Sequence, residues 1–121
     1  QVAFTNDGLA RVVDALLSDP DYSPVIVFQG DHGEGFAGDG SSQEDGYVAR
    51  MGILNAYHLP SGGNSLLYPS ISPVNTFRVI FNYYFGADYE FVDDRSYYSK
   101  GSAGPSDWLD VTDDVRRAAA E

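Results

Sequence analysis

The chain has 121 residues, of which 43% are hydrophobic and 14% aromatic, a composition sufficient for one domain with a hydrophobic core. The chain has 18 acidic and 7 basic residues, and its formal net charge of −11 repels phosphate backbones and anionic lipids. We therefore expect no nucleic-acid partner and no membrane contact from this segment, and the lack of cysteine excludes disulfides, thiolate metal sites and cysteine nucleophiles.

The first predicted elements are a helix followed by a strand. Apolar side chains recur over residues 6–18 at the spacing of one helical face, and Pro20 ends this helix because proline disfavours helical backbone at the residue before it. Residues 25–29 form an apolar run between a proline and a glycine, which predicts a short strand buried on both faces, as in parallel sheets. This αβ unit predicts an α/β fold class with a mostly parallel sheet flanked by helices.

Asp31 and His32 follow the predicted strand and lie between Gly30 and Gly33. Ligands of open α/β sheets bind beyond the carboxyl ends of the strands, so the pair stands where a site is expected. Neighbouring strand residues face opposite ways, but the glycines permit the backbone to leave strand geometry, and we expect both side chains to face one pocket. A carboxylate and an imidazole can hold a divalent metal ion. The alternative is that they only form hydrogen bonds within a turn.

Residues 33–46 are rich in glycine and acids, and they predict a flexible acidic loop after the Asp-His pair. It is either a solvated surface loop or a mobile flap beside a site, and we expect faster amide exchange here than in residues 25–29. Residues 33–38 fit the dinucleotide-binding pattern G-x-G-x-x-G. The residues that follow cannot open a stable helix and Glu34 would repel a pyrophosphate, so we reject a dinucleotide site.

A second buried strand is predicted over residues 51–60, where Pro60 stops it. His58 within this strand could be a metal ligand, but a lone histidine in an apolar strand is more often structural. We expect Arg50 and Arg78 to be structural as well.

The clearest helix signal follows Ser72. Ser72 is a suitable cap, Pro73 suits the first helical position, and Gly86 suits a left-handed helix end. Asn75 and Arg78 are expected to fix the preceding loop by hydrogen bonds. The face predicted to enter the core is a wide apolar stripe of Val74, Phe77, Phe81, Tyr84 and Phe85.

The carboxyl-terminal part has weaker signals. Residues 100–106 are rich in glycine and serine and predict a linker-like loop. Residues 108–112 predict a short strand, and residues 113–120 a short helix with acids near its start and bases nearer its end.

Three blocks, in their order and spacing, carry a resemblance to a known family. They are Pro-Val-Ile-Val-Phe-Gln-Gly-Asp-His-Gly at 24–33, Ile-Leu-Asn-Ala-Tyr-His-Leu-Pro at 53–60 and Ser-Pro-Val-Asn-Thr-Phe-Arg at 72–78, and Asp-Arg-Ser-Tyr at 94–97 is similar to the family's closing segment. On these blocks the chain resembles the carboxyl-terminal part of the alkaline phosphatase/sulfatase superfamily, closest to sulfatase-like hydrolases and phosphoglycerol-transferase-like enzymes of bacteria.

The resemblance implies a partial alkaline-phosphatase-like sandwich in which Asp31 and His32 bind the catalytic divalent metal ion, whether Mn, Zn, Ca or Mg. It implies a metal-dependent hydrolase or transferase that acts on anionic sulfate or phosphate esters. The pair is Asp-His where arylsulfatases often have Asp-Asn, which favours phosphoester chemistry. A membrane-anchored or extracytoplasmic parent protein is also implied by this resemblance.

The chain departs from the family in one respect. Family members place the nucleophile and further carboxylate ligands in an amino-terminal half, which nothing here matches. Thr5, Thr76 and Thr112 have no base or metal ligand beside them in sequence, and an unactivated nucleophile is too weak for this chemistry. We therefore expect residues 1–121 to be a single partial domain, inactive alone, whose partner is the missing amino-terminal half. The alternative is a non-catalytic α/β interaction or structural module.

Overall fold

The computed structural model describes residues 2–34, 43–99 and 108–120. Helices and short strands mix along the chain, which agrees with the α/β class at that coarse level. In chain order the elements are α1 (Val2–Leu17), β1 (Ile26–Gln29), α2 (Gln43–Met51), β2 (Asn55–His58), a 3₁₀ turn (Gly63–Leu66), α3 (Pro73–Phe85), β3 (Tyr97–Ser99), β4 (Trp108–Asp110) and α4 (Thr112–Ala118).

The strands form two antiparallel pairs, so the prediction of a mostly parallel sheet is wrong for the described residues. β1 pairs with β2, with Ile26 opposite His58 and Gln29 opposite Asn55, and β3 pairs with β4. Of the four residues in β1 only Ile26 is buried. The apolar run marked a strand correctly, but such a run does not fix the direction in which its neighbour runs.

α1 starts earlier than the predicted helix and ends before Pro20, as predicted. Its apolar stripe is largely uncovered, since Phe4 is 85% exposed and Val12 53% exposed. It forms no extensive packing with any other described element. No helix in the described part of the chain combines the length and apolar character needed to cross a membrane.

α2 corrects two predicted boundaries. Residues 43–46 belong to this helix, so the predicted loop 33–46 is too long at its carboxyl end, and residues 35–42 lie outside the described residues. The helix runs on to Met51, which shortens the predicted strand 51–60 to Asn55–His58. The predicted linker 100–106 also lies outside the described residues.

The ends of α3 are as predicted. The Ser72 hydroxyl accepts a hydrogen bond from the Asn75 amide at 3.4 Å, Pro73 is the first helical residue, and Gly86 has a φ of 66°. These signals are local, because a serine cap, a proline and a glycine each act through their own backbone geometry.

The buried face of α3 is not the predicted one. The buried residues are Asn75, Thr76, Val79 and Ile80, whereas Val74, Phe77, Phe81 and Phe85 are exposed and Tyr84 is half-buried. Two of the buried residues are polar, and they tolerate burial because hydrogen bonds satisfy them. Tyr84 packs against the core, whereas the other four residues of the stripe face solvent, and for those four the prediction that they enter the core is wrong.

The hydrophobic core is small. Leu59, Val79 and Ile80 form its centre, and Val27 and Tyr57 are among the side chains packed against it. Within the described residues six hydrophobic side chains are buried, but twenty large ones are exposed. Much of the apolar surface of this chain therefore has no partner within the described structure.

Residues 87–96, called the strap here, form a segment without regular secondary structure that runs back along α3. Asn82 exchanges two hydrogen bonds with the Tyr89 backbone, at 2.8 and 2.9 Å. Nε of Arg78 donates to the Glu90 carbonyl at 2.8 Å. Asn75 and Arg78 were expected to fix the loop before the helix, but Arg78 binds the segment after it. Asn75 forms hydrogen bonds with both the segment before the helix and the strap. Side chains of α3 thereby satisfy backbone N–H and carbonyl groups of the strap.

Candidate functional site

Asp31 and His32 lie directly after β1, at the carboxyl end of the strand. Oδ2 of Asp31 is 3.5 Å from Nε2 of His32. The Asp31 side chain is 89% exposed and the His32 side chain 46% exposed, so solvent and ions reach both. The two side chains thus turn toward each other, which neighbours within a regular strand do not do.

A backbone carbonyl orients the His32 ring. Nδ1 of His32 lies 2.8 Å from the Gly33 carbonyl oxygen. A carbonyl oxygen only accepts hydrogen bonds, so Nδ1 carries a proton and Nε2 of the neutral ring carries the lone pair. Nε2 is the ring nitrogen that lies 3.5 Å from Asp31 Oδ2. Histidines that bind metals are commonly held in this way, with the remote ring nitrogen donating to a carbonyl or carboxylate.

The separation of the two donor atoms can be compared with coordination geometry. Two ligand atoms about 2.1 Å from one tetrahedral ion lie about 3.4 Å apart. Ligands at right angles around an octahedral ion at a similar distance lie about 3.0 Å apart. The observed 3.5 Å is nearer the tetrahedral value. The separation of Asp31 Oδ2 and His32 Nε2 therefore matches two ligand positions around one divalent ion, either a tetrahedral Zn²⁺ or a larger ion such as Ca²⁺, whose ligands lie at about 2.4 Å.

The site is incomplete in the described part of the chain. No group of three or more histidine, cysteine, aspartate and glutamate side chains there is arranged to hold a metal ion. His58 does not supply a third ligand, because it pairs with Ile26 at the amino end of β1, about 10 Å along the strand from the carboxyl end. The role of the Asp-His pair as metal ligands stays a prediction.

Two backbone hydrogen bonds anchor the ends of the Asp-His turn. Gly30 N donates to the Leu54 carbonyl at 2.9 Å, and Gly33 N donates to the Arg50 carbonyl at 2.7 Å. A Cβ atom at Gly33 would collide with the backbone oxygens of Ala49 and Gly52 at the end of α2. Only glycine fits this position, so the end of α2 fixes where the turn ends.

Two of the threonines considered as nucleophiles, Thr76 and Thr112, form hydrogen bonds away from the Asp-His turn. Thr76 is fully buried, and its hydroxyl lies 3.2 Å from both the Ser72 carbonyl and the Tyr57 hydroxyl. The Thr112 hydroxyl accepts a hydrogen bond from Ser96 N at 2.9 Å. These contacts connect one element to another. The Thr112 hydroxyl also hydrogen-bonds to the carboxylate of Asp110.

Sequence analysis missed the structural role of Asp94. Its Oδ1 accepts hydrogen bonds from Ser72 N at 2.7 Å and Asn75 Nδ2 at 2.8 Å, and its Oδ2 accepts one from the Tyr68 hydroxyl at 2.6 Å. Burial alone would raise the pKa of Asp94, but hydrogen bonds from Ser72, Tyr68 and Asn75 bring it below its ordinary value. The ionised carboxylate thus fixes the start of α3 to the strap.

A polar cleft of about 740 Å³ lies beside β4 and α4. Arg95 contacts the carboxylates of Asp93 at 3.3 Å and Asp110 at 3.2 Å, and Arg116 donates to the Asp94 carbonyl. Hydrogen bonds from Thr112, and then Arg95, lower the pKa of Asp110. The lining has five carboxylates and three guanidinium groups, so this cleft does not attract an anionic ester. It is lined by Asp93, Asp94, Arg95, Asp110, Thr112, Asp113, Asp114, Arg116 and Arg117.

Comparison with known proteins found no matching family model, no matching curated protein and no matching solved structure. The sulfatase-like resemblance therefore stays a prediction from the sequence blocks.

Proposed function

We propose that the chain is part of a metal-dependent hydrolase or transferase for sulfate or phosphate esters and contributes Asp31 and His32 as metal ligands. The observation that carries this proposal is the 3.5 Å approach of Asp31 Oδ2 to His32 Nε2, with Nδ1 held by the Gly33 carbonyl. A bound divalent ion would polarise the ester and lower the pKa of the attacking group.

Each part of the turn has a task in this function. The Asp31 carboxylate supplies negative charge, which partly balances that of a divalent ion. His32 supplies the Nε2 lone pair, while the Gly33 carbonyl keeps the proton on Nδ1 and sets the plane of the ring. The backbone hydrogen bonds of Gly30 and Gly33 hold the turn against Leu54, just before β2, and Arg50, in the last turn of α2.

Residues from outside this chain must complete the function. Two ligands leave most of the coordination sphere of an ion to water, and the chain brings no activated nucleophile that matches the family pattern. The net charge of −11 also repels an anionic ester. The nucleophile, further ligands and a substrate-binding cation are therefore assigned to the amino-terminal half of the catalytic domain.

The alkaline-phosphatase-like sandwich is part of the same proposal. In the described residues β1 hydrogen-bonds to β2 on one side. We place further strands of a larger sheet at the other edge of β1, because three of its four residues are only partly buried and its backbone has one hydrogen-bonded neighbour in the described residues. Asp31 and His32 would then lie at the carboxyl end of an internal strand.

A second candidate function, a non-catalytic interaction or structural module, is favoured by the exposed apolar side chains of α1 and α3. In that case the Asp31–His32 contact is no more than an exposed ion pair formed when the imidazole is protonated. Such pairs contribute about 0–1 kcal/mol to stability.

Calorimetric titration with Zn²⁺ at neutral pH separates the two functions. The proposal predicts weak binding of one ion, lost in Asp31→Asn and His32→Gln, and retained in His58→Gln, the matched control at the only other histidine. Equal binding by all three variants, or none by the unaltered chain, contradicts it. The same samples are expected to hydrolyse neither aryl sulfates nor aryl phosphates.

A further inference from the structure

α3 and the strap present a continuous exposed aromatic surface, called the aromatic ridge here. It consists of Phe77, Phe81 and Phe85 on α3 and Tyr89 on the strap. Neighbouring ring centroids are 6.4, 6.0 and 6.2 Å apart, which is contact distance for aromatic pairs. The residues are 42%, 44%, 72% and 56% exposed, in that order.

Contacts with the core and with Asn82 hold the backbone beneath the aromatic ridge in place. The opposite face of α3 is buried through Val79 and Ile80, which belong to the hydrophobic core. Tyr89 is held by two backbone hydrogen bonds to Asn82. The backbone that carries the rings is therefore held in place before any partner arrives, which lowers the entropy cost of binding.

Negative charges outnumber positive charges beside the aromatic ridge. Asp88 and Glu90 are exposed on either side of Tyr89. Within α3 the only charged residue is Arg78, and its guanidinium donates to the carbonyls of Glu90 and Val74. The apolar surface thus has an acidic border on the strap, which attracts basic groups.

We propose that the aromatic ridge binds an amphipathic helix of a partner protein, with lysine or arginine beside its apolar stripe. Side chains four residues apart form a row along a helix, and such a row packs into the groove between equivalent rows of a second helix. Phe77, Phe81 and Phe85 form this row. The basic flank of the partner faces Asp88 and Glu90. The proposal is independent of the metal site.

A second copy of this chain fits the ridge less well. The other exposed apolar helix of the chain is α1, whose charged residues are Asp7, Arg11 and Asp14, a net charge of −1. Each further copy would also bring a net charge of −11 toward an acidic border.

The test uses a model partner of stated chemistry. The probe is an amphipathic leucine–lysine peptide of about 18 residues, long enough to form a helix when bound. A peptide of the same composition in scrambled order, and a leucine–glutamate analogue, serve as controls. Binding is measured by fluorescence anisotropy of the labelled peptides, alongside the oligomeric state of the chain by light scattering.

We expect saturable binding of the leucine–lysine helix. Phe81→Ser or Phe85→Ser should weaken it at least about tenfold, as for buried aromatic anchors of an interface. Phe4→Ser on α1, which removes an equally apolar exposed ring, should leave it unchanged. Phe85 is 72% exposed, so this variant should remain folded, which circular dichroism verifies.

Four results would overturn the proposal. Unchanged affinity of the folded Phe85→Ser variant would exclude the ridge as the binding surface. Equal binding of the scrambled peptide would show that the composition of the peptide, and not an amphipathic helix, is recognised. Equal binding of the leucine–glutamate peptide would refute a basic partner. A dimer of the chain that Phe85→Ser dissociates would identify a second copy as the occupant instead.

Discussion

Asn75 and Val92 exchange two hydrogen bonds: Asn75 Nδ2 donates to the Val92 carbonyl at 2.7 Å, and Val92 N donates to Asn75 Oδ1 at 3.1 Å. A fully buried side chain on α3 thus pairs with the strap as the backbone of a neighbouring strand would. The described residues leave no buried side-chain nitrogen or oxygen without a hydrogen-bond partner.

Asn75→Ala should therefore be among the most destabilising single changes. It leaves the N–H and carbonyl groups of Val92 without their partner and removes one of the two hydrogen bonds to Asp94 Oδ1, at a cost of about 3 kcal/mol in the free energy of unfolding. Asn82→Ala removes an equivalent pair of bonds to Tyr89 at a more exposed position and should cost about 1 kcal/mol. Urea unfolding measures both. Equal losses would show that burial of Asn75 is not the reason for its importance.

The second prediction concerns the Asp-His turn. Gly33→Ala should move the turn away from α2 or unfold it, because the new methyl group collides with the Ala49 and Gly52 carbonyls. Gly30→Ala is the matched control, since its nearest neighbour would be the Leu54 nitrogen at 3.6 Å, an ordinary contact. Thermal unfolding should show a loss of several degrees for Gly33→Ala only. A Gly33→Ala protein as stable as the Gly30→Ala protein would refute the tight packing.

The third prediction follows from the lowered pKa of Asp94. A carboxyl whose pKa is lower in the folded state stabilises the fold above its unfolded-state pKa, about 3.9 for aspartate. That stabilisation disappears as the pH falls through the lower folded-state pKa. Asp94→Asn should therefore reduce the acid dependence of the unfolding free energy below about pH 4. Asp88→Asn, an exposed carboxyl on the same strap, is the control, and an identical pH profile for both variants would contradict the role of Asp94.

The ends of α3 could be predicted from sequence, whereas its buried face could not. Ser72, Pro73 and Gly86 act through local backbone geometry, and the helix begins and ends where they place it. The buried face depends on whether Asn75 finds partners, and those partners lie 17 and 19 residues away in the strap. Hydrophobic periodicity has no access to such contacts, so it selected the aromatic stripe instead.

The site could be predicted in part for a similar reason. The glycines around Asp31 and His32 signalled a turn, and the structure places the two side chains close together in it. The direction of the sheet was missed, because apolar residues in β1 indicate burial but not the register or direction of β2. The contact between Gly33 and the end of α2 was also missed, since the sequence shows no pattern for helix α2.

The central claim is that Asp31 and His32 bind a divalent cation, and paramagnetic Mn²⁺ tests it most directly. Substoichiometric Mn²⁺ should broaden the amide resonances of residues 30–33 first, and His32→Gln should abolish this effect while His58→Gln leaves it intact. The acidic cleft beside β4 and α4 is the competing location, because five carboxylates line it. Broadening centred on Asp110 and Asp114, with residues 30–33 unaffected, would contradict the claim.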